Sequence, residues 1–158
     1  MINSVDIDQN IIFLYPASLV VRSNPIKIHT ILGSCIAVCL YDKVRKIGGM
    51  NHFMLPYWNG NGLASPKYGN IAIERLVEGM RGLGSRQEDL IAKVFGGAAV
   101  LQVKSNAFNI GDKNIAAAMD ILSQLRIPIG ARSVGGTQGR KIIFDTQTSE
   151  VIHRIIKN

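Results

Sequence analysis

Two cysteines in 158 residues are too few for a disulfide framework. No apolar run approaches the roughly 20 residues that span a bilayer. The opening stretch "MINSVDIDQN" is polar and acidic, unlike the basic start and apolar centre of a secretory signal. Internal repeats, low-complexity tracts and long linkers are missing too. Together these absences exclude a stapled secreted module, a membrane-inserted chain and a repeat array. The expectation is one domain spanning 1–158, in the cytoplasm, with reduced thiols.

Acidic residues are also scarce. Asp and Glu number 11 against 18 Lys and Arg, for a net charge of +7. Such a balance suits an acidic partner surface. The basic residues are dispersed, however, and the densest clusters, Lys43–Arg45–Lys46 and Arg140–Lys141, carry no interleaved aromatics. That favours a solvated basic surface over nucleic-acid binding. What the chain has in quantity is apolar residues, 47% against 18% charged, enough for a packed core.

The pattern along the chain is strand-rich. "NIIFLYPASLVVRS" is two apolar runs broken at Pro16, and 26–32, 35–42 and 46–56 read as three more strands. Ser65 and Pro66 predict a helix start, followed by Ile73, Leu76, Val77 and Met80 on one helical face. Residues 90–98 read as a buried strand. Asp112 is placed to cap a second helix with Ile115, Ala118, Met119 and Leu122 on its apolar face. "IPIGARSV", "RKIIFDT" and "EVIHRII" read as strands, the last two as a hairpin. Many strands with two amphipathic helices imply an α+β layered domain with mixed sheets.

Chemistry centres on "ILGSCIAVCLYD". A nucleophilic cysteine needs a base, and the base needs an orienting group. If 35–42 and 47–54 pair through a tight turn at Lys43–Val44, Cys35 lies opposite His52, on one sheet face. A register shift of two keeps them there as diagonal neighbours. Gly33 permits a sharp turn that aims the backbone N–H groups near Ser34 and Cys35 at one point, as an oxyanion hole requires. The competing reading of Cys35 is a small buried hydrophobe. "CIAVC" has the wrong spacing for a redox C-x-x-C pair, and the short-spaced ligand pairs of a zinc site are lacking. No metal or cofactor is expected. The glycine stretches "FGGAAV" and "VGGTQGR" match neither phosphate-loop pattern. They read as tight turns or as a rim, with Thr137, Gln138 and Arg140 as candidate substrate contacts.

"LGSCIAVCLYD" and "GGMNHFMLP", with Cys35 and His52 seventeen apart, resemble the CheD family of chemoreceptor glutamine deamidases. "KYGNIAIERLVEGM", "AKVFGGA", "NIGDKN" and "GGTQGRKIIF" follow in the family's order. The resemblance implies a layered α/β/β/α sandwich similar to deamidating cytotoxin domains. It implies conversion of selected glutamines of chemoreceptor cytoplasmic domains to glutamate, with Cys35 as nucleophile and His52 as base. It implies a CheC-type phosphatase as partner. The family's third catalytic residue, usually Thr, stands six residues before the cysteine. His29 holds that position here, with Thr30 beside it. Adjacent strand side chains point to opposite faces, so Thr30 takes that place only if the strand slips or bulges, and the expectation is that His29 orients His52. The substitution keeps a second reading open: a weakly active CheD-like binding partner of CheC or receptors.

Overall fold

The computed structural model describes residues 10–99 and 109–157. Among the described residues, nine strands form two mixed sheets: β1 (Ile11–Phe13), β2 (Ser18–Arg22), β3 (Lys27–Leu32), β4 (Ile36–Asp42), β5 (Ile47–His52), β6 (Leu90–Gly96), β7 (Ile129–Val134), β8 (Gly139–Asp145) and β9 (Val151–Ile156). One sheet has the order β1-β3-β8-β9 and the other β2-β5-β4-β6-β7. The described α-helices are α1 (Gly69–Gly82) and α2 (Ile110–Gln124).

β4 explains the layering. Every residue in it is buried, as its continuous apolar run requires of a strand covered on both faces. Ile36, Val38 and Leu40 join Leu76, Met80, Ala118 and Leu122 in a core beneath the two helices. Ala37, Cys39 and Tyr41 join Ile28, Leu32, Ile142 and Phe144 in a second core between the sheets. Burying one such Leu or Ile contributes roughly 1.5–3 kcal/mol. The α+β layered architecture with mixed sheets is therefore present. Both described helices cover the same sheet, so the described layers run α/β/β.

One local alternative is decided and two local expectations are corrected. The β4–β5 register is displaced by two from the tight-turn pairing, with Cys39 opposite Met50 and Ile36 bridged to Phe53. The reason is a four-residue turn, Lys43–Lys46. The Asp42 carboxylate accepts from the backbone N–H of Val44 (2.9 Å) and Arg45 (3.2 Å), and Lys46 takes φ 56°. Helix α1 begins at Gly69 with Tyr68 as N-cap, not at Ser65. The Lys67 carbonyl is held by the N–H groups of Met54 and Leu55, so the chain is still extended there. Helix α2 is capped by Asn109, whose side chain accepts from the Asp112 N–H at 3.3 Å and donates to its carboxylate at 2.9 Å. Asp112 thus lies in the first turn, where its charge suits the helix dipole.

Candidate active site

At the end of the hairpin away from its turn, the inter-sheet core gives way to polar residues. Cys35 ends the turn that leads into β4, and His52 ends β5. The observed register makes them diagonal neighbours on the face looking into the space between the sheets. β3 of the other sheet lies across that space.

Alternation along β3 decides which of its residues faces His52. Ile28, Thr30 and Leu32 are buried, while Lys27 and Ile31 are exposed and His29 is half-buried. Apolar Ile28 and Leu32 pull the even positions inward, and Thr30 goes with them. Its hydroxyl lies 2.8 Å from His52 Nδ1 and 2.7 Å from the Leu14 carbonyl oxygen. His29 points to the opposite face, beside Lys27 and Lys141. The expectation that His29 orients His52 is therefore corrected. Thr30 needs no slip or bulge, because β3 presents its other face to the site.

The two contacts of Thr30 fix the imidazole tautomer. A carbonyl oxygen only accepts, so the single hydroxyl proton goes to Leu14. The Thr30 oxygen is then left to accept, and His52 Nδ1 carries the proton. The lone pair is on Nε2, which is buried and has no hydrogen-bond partner among the described residues. Burial drives the His52 pKa down to about 4, opposed by the Leu14 carbonyl. Burial also raises the pKa of the half-buried Cys35 thiol. At neutral pH the pair is a thiol beside a neutral imidazole, an acid and a base rather than a preformed ion pair.

Cys35 is held by its surroundings. The Gly33 carbonyl accepts from the Ala98 N–H at 2.9 Å, and the Cys35 carbonyl accepts from the Gly97 N–H at 2.9 Å. Gly96 takes φ +111°, and a Cβ there would lie 2.1 Å from the Cys35 oxygen. The glycines of "FGGAAV" thus admit a backbone against the cysteine turn. The N–H groups of Ser34 and Cys35 donate no hydrogen bond among the described residues. Cys39 is fully buried, and burial raises its pKa strongly, so it is packing.

The rim candidates divide. Thr137 and Gln138 are exposed, on a loop tied to the Gly96–Ala99 segment through Gly135 N–H to Gly96 O (2.9 Å) and Ala99 N–H to Gly136 O (2.8 Å). Arg140 is not a free contact. It is 5% exposed, and its guanidinium donates to the Ser133 hydroxyl and to the Gly135 and Gly96 carbonyls. Its position on β8 opposite Leu32 turns it inward, where it ties the loop to the sheet. No group of three or more His, Cys, Asp or Glu suited to a metal occurs among the described residues.

Sequence reasoning overlooked Asn114. From the first half of α2 its Nδ2 donates to the Ser34 carbonyl (2.9 Å) and the Met54 carbonyl (3.0 Å), and the residue is fully buried. A polar residue on the core-facing side of an amphipathic helix was the available signal.

Comparison with known proteins identifies the family. The family model described as CheD chemotactic sensory transduction matches residues 54–155. The chain belongs to the CheD family. The "probable chemoreceptor glutamine deamidase CheD" of Trichlorobacter lovleyi is 53% identical over 140 residues, covering 89% of this chain and 87% of that protein. The protein of the same description from Sulfurimonas denitrificans is 47% identical over 146 residues, covering 92% and 94%. That from Methanococcus vannielii is 38% identical over 135 residues, covering 85% and 88%. A match of 140 residues in a chain of 158 necessarily takes in residues 30, 35 and 52, which precede the start of the CheD family model. In fold, the chain is similar to the crystal structure of Bacillus licheniformis hypothetical protein YfiH, with a TM-score of 0.50 at 14% identity, over 82% of this chain and 67% of that one.

Proposed function

We propose that this CheD-family chain is a protein-glutamine deamidase that converts selected glutamines of chemoreceptor cytoplasmic domains to glutamate through a Cys35 thioester. The observation that carries the reading is the Thr30–His52 hydrogen bond. It leaves Nε2 as the basic ring atom, on the sheet face that Cys35 shares.

The steps follow from that assignment. His52 Nε2 takes the Cys35 proton as Sγ bonds to the side-chain carbonyl carbon of glutamine. The oxygen becomes negative and is met by the N–H groups of Ser34 and Cys35. His52 then returns the proton to the departing nitrogen, ammonia leaves, and a thioester remains. Water attacks the thioester carbon, its proton passes to Nε2, and the carbon–sulfur bond breaks. The proton returns to Sγ, giving glutamate and the free thiol. Thr30 and the Leu14 carbonyl stabilise the imidazolium formed in each half-reaction.

A cytoplasmic location is part of this proposal, since its substrates are chemoreceptor cytoplasmic domains; no described helix is long and apolar enough to cross a membrane. A CheC-type phosphatase is the proposed regulatory partner, and co-elution with such a protein in gel filtration tests it. The reading as a weakly active binding partner rested on the missing threonine, and Thr30 removes that motive. Incubation with a receptor cytoplasmic fragment, followed by mass-spectrometric mapping, tests the main reading. Gln→Glu conversion by wild type and none by Cys35→Ala is the expected result. The same pattern from both proteins overturns it.

A further inference from the structure

The oxyanion-binding N–H groups are aimed by carbonyls held on the far side of the same peptides. The chain has no cis peptide bonds among the described residues. In a trans peptide the C=O and the following N–H point in opposite directions. Holding the Gly33 carbonyl against the Ala98 N–H therefore fixes where the Ser34 N–H points. Holding the Ser34 carbonyl against Asn114 Nδ2 fixes where the Cys35 N–H points. The Cys35 carbonyl, held by the Gly97 N–H, locks the next peptide. Of the groups holding these three consecutive carbonyls, one is a side chain, that of Asn114.

Asn114 does more than hold Ser34. Its second Nδ2 proton goes to the Met54 carbonyl, two residues beyond His52. One amide group thus joins the segment carrying the nucleophile to the segment carrying the base. Its orientation is fixed, because a flipped amide would press Oδ1 against two carbonyl oxygens. The consequence is that Oδ1 is buried without a hydrogen-bond partner among the described residues. Buried polar groups in folded proteins are nearly always hydrogen-bonded, so an acceptor left over calls for an explanation, and a role at a functional site is one.

We infer that Asn114 is a positioning residue for the deamidation reaction: it aims the Cys35 N–H at the developing oxyanion. This inference rests on the deamidase reading. Its chemistry is confined to hydrogen bonding, and no proton is transferred through Asn114.

The test compares wild type, Asn114→Ala and Asn114→Ser on a receptor cytoplasmic fragment, with rates taken per folded molecule. The Cys35 alkylation rate with iodoacetamide is measured in parallel. Alkylation needs the thiolate but no oxyanion hole. An error of an ångström in a reacting group costs about 100-fold. Asn114→Ala is therefore expected to lower kcat by that order, with KM and the pH dependence of alkylation unchanged. Asn114→Ser keeps one donor and is expected to recover part of the loss. Wild-type kcat in Asn114→Ala, an equal loss in alkylation, or variants that simply fail to fold would each overturn the inference. Failure of the deamidase reading is distinguishable, since wild type itself would then leave the receptor glutamines unconverted.

Discussion

The two ends of the β4–β5 hairpin are built on opposite principles. At the turn, the Asp42 carboxylate accepts from the N–H groups of Val44 and Arg45, from the Arg45 guanidinium at 3.0 Å and from the Ser85 hydroxyl at 2.8 Å. Burial alone would raise the Asp42 pKa, but these hydrogen bonds outweigh it and hold the carboxyl below its ordinary value. Toward the other end lie the three buried side-chain polar atoms that lack a partner among the described residues: Asn51 Nδ2, His52 Nε2 and Asn114 Oδ1. Regular pairing also lapses there, where the Val38 N–H donates to the Asn51 side chain at 2.9 Å. One end spends its polar groups on holding the strands together. The other keeps them in reserve, and the stability lost there is supplied by the rest of the fold.

Substitutions at the two ends should therefore fail in different ways. The largest effect belongs to His52→Ala, which should lower kcat by a factor on the order of 10⁴ to 10⁶, the scale seen when a catalytic base or nucleophile is removed. Steady-state deamidation of a receptor fragment reads it, and a loss under tenfold would put the base elsewhere. Asp42→Ala should instead unfold the protein more easily, by about 2–4 kcal/mol in urea titration, while kcat per folded molecule stays unchanged. A lowered kcat in that variant would mean that the two ends are coupled.

Acid should separate the two ends as well. His52 has a folded pKa of about 4 against an ordinary value of 6.5, so the unfolded chain takes up a proton first. Stability is fully present above 6.5 and falls as the pH drops toward 4, by about 3 kcal/mol at the limit. The lowered Asp42 pKa acts in a lower window, below its ordinary 3.8. Thermal melts of wild type and His52→Gln across this range should differ in slope between pH 6.5 and 4, and equal slopes would show that His52 is not buried neutral. The acid limb of kcat/KM should likewise lie well below 6.5. The smallest effect is expected at Cys39→Ala, a loss of packing with kcat unchanged; a catalytic defect there would reopen the choice of nucleophile.

Much of the fold was legible because its signals are periodic. The strands, both helical faces and the β8–β9 hairpin follow from alternation and 3.6-residue spacing. The site was legible where parity sufficed, since Cys35 and His52 share a face in either register. It was misread where the answer depended on which side of a strand faces the other sheet. "KIHTIL" carried that answer: an inward His29 would have brought Lys27 inward on the same face. Arg140 and Asn114 were harder to see. Their neighbours come from segments far away in sequence, and only the packed structure brings the Gly135–Gly96 carbonyls or the Ser34–Met54 carbonyls around them.

The exchange of His29 for Thr30 bears most directly on the site. A hydrogen bond to a group that becomes charged contributes about 1.5–3 kcal/mol, which corresponds to a 10- to 100-fold change in rate. The decisive measurement is kcat for Thr30→Val and His29→Ala, side by side on one receptor cytoplasmic fragment at saturating concentration. A loss of that size in Thr30→Val with wild-type turnover in His29→Ala is the predicted result. Wild-type turnover in Thr30→Val, or a loss confined to His29→Ala, would contradict it.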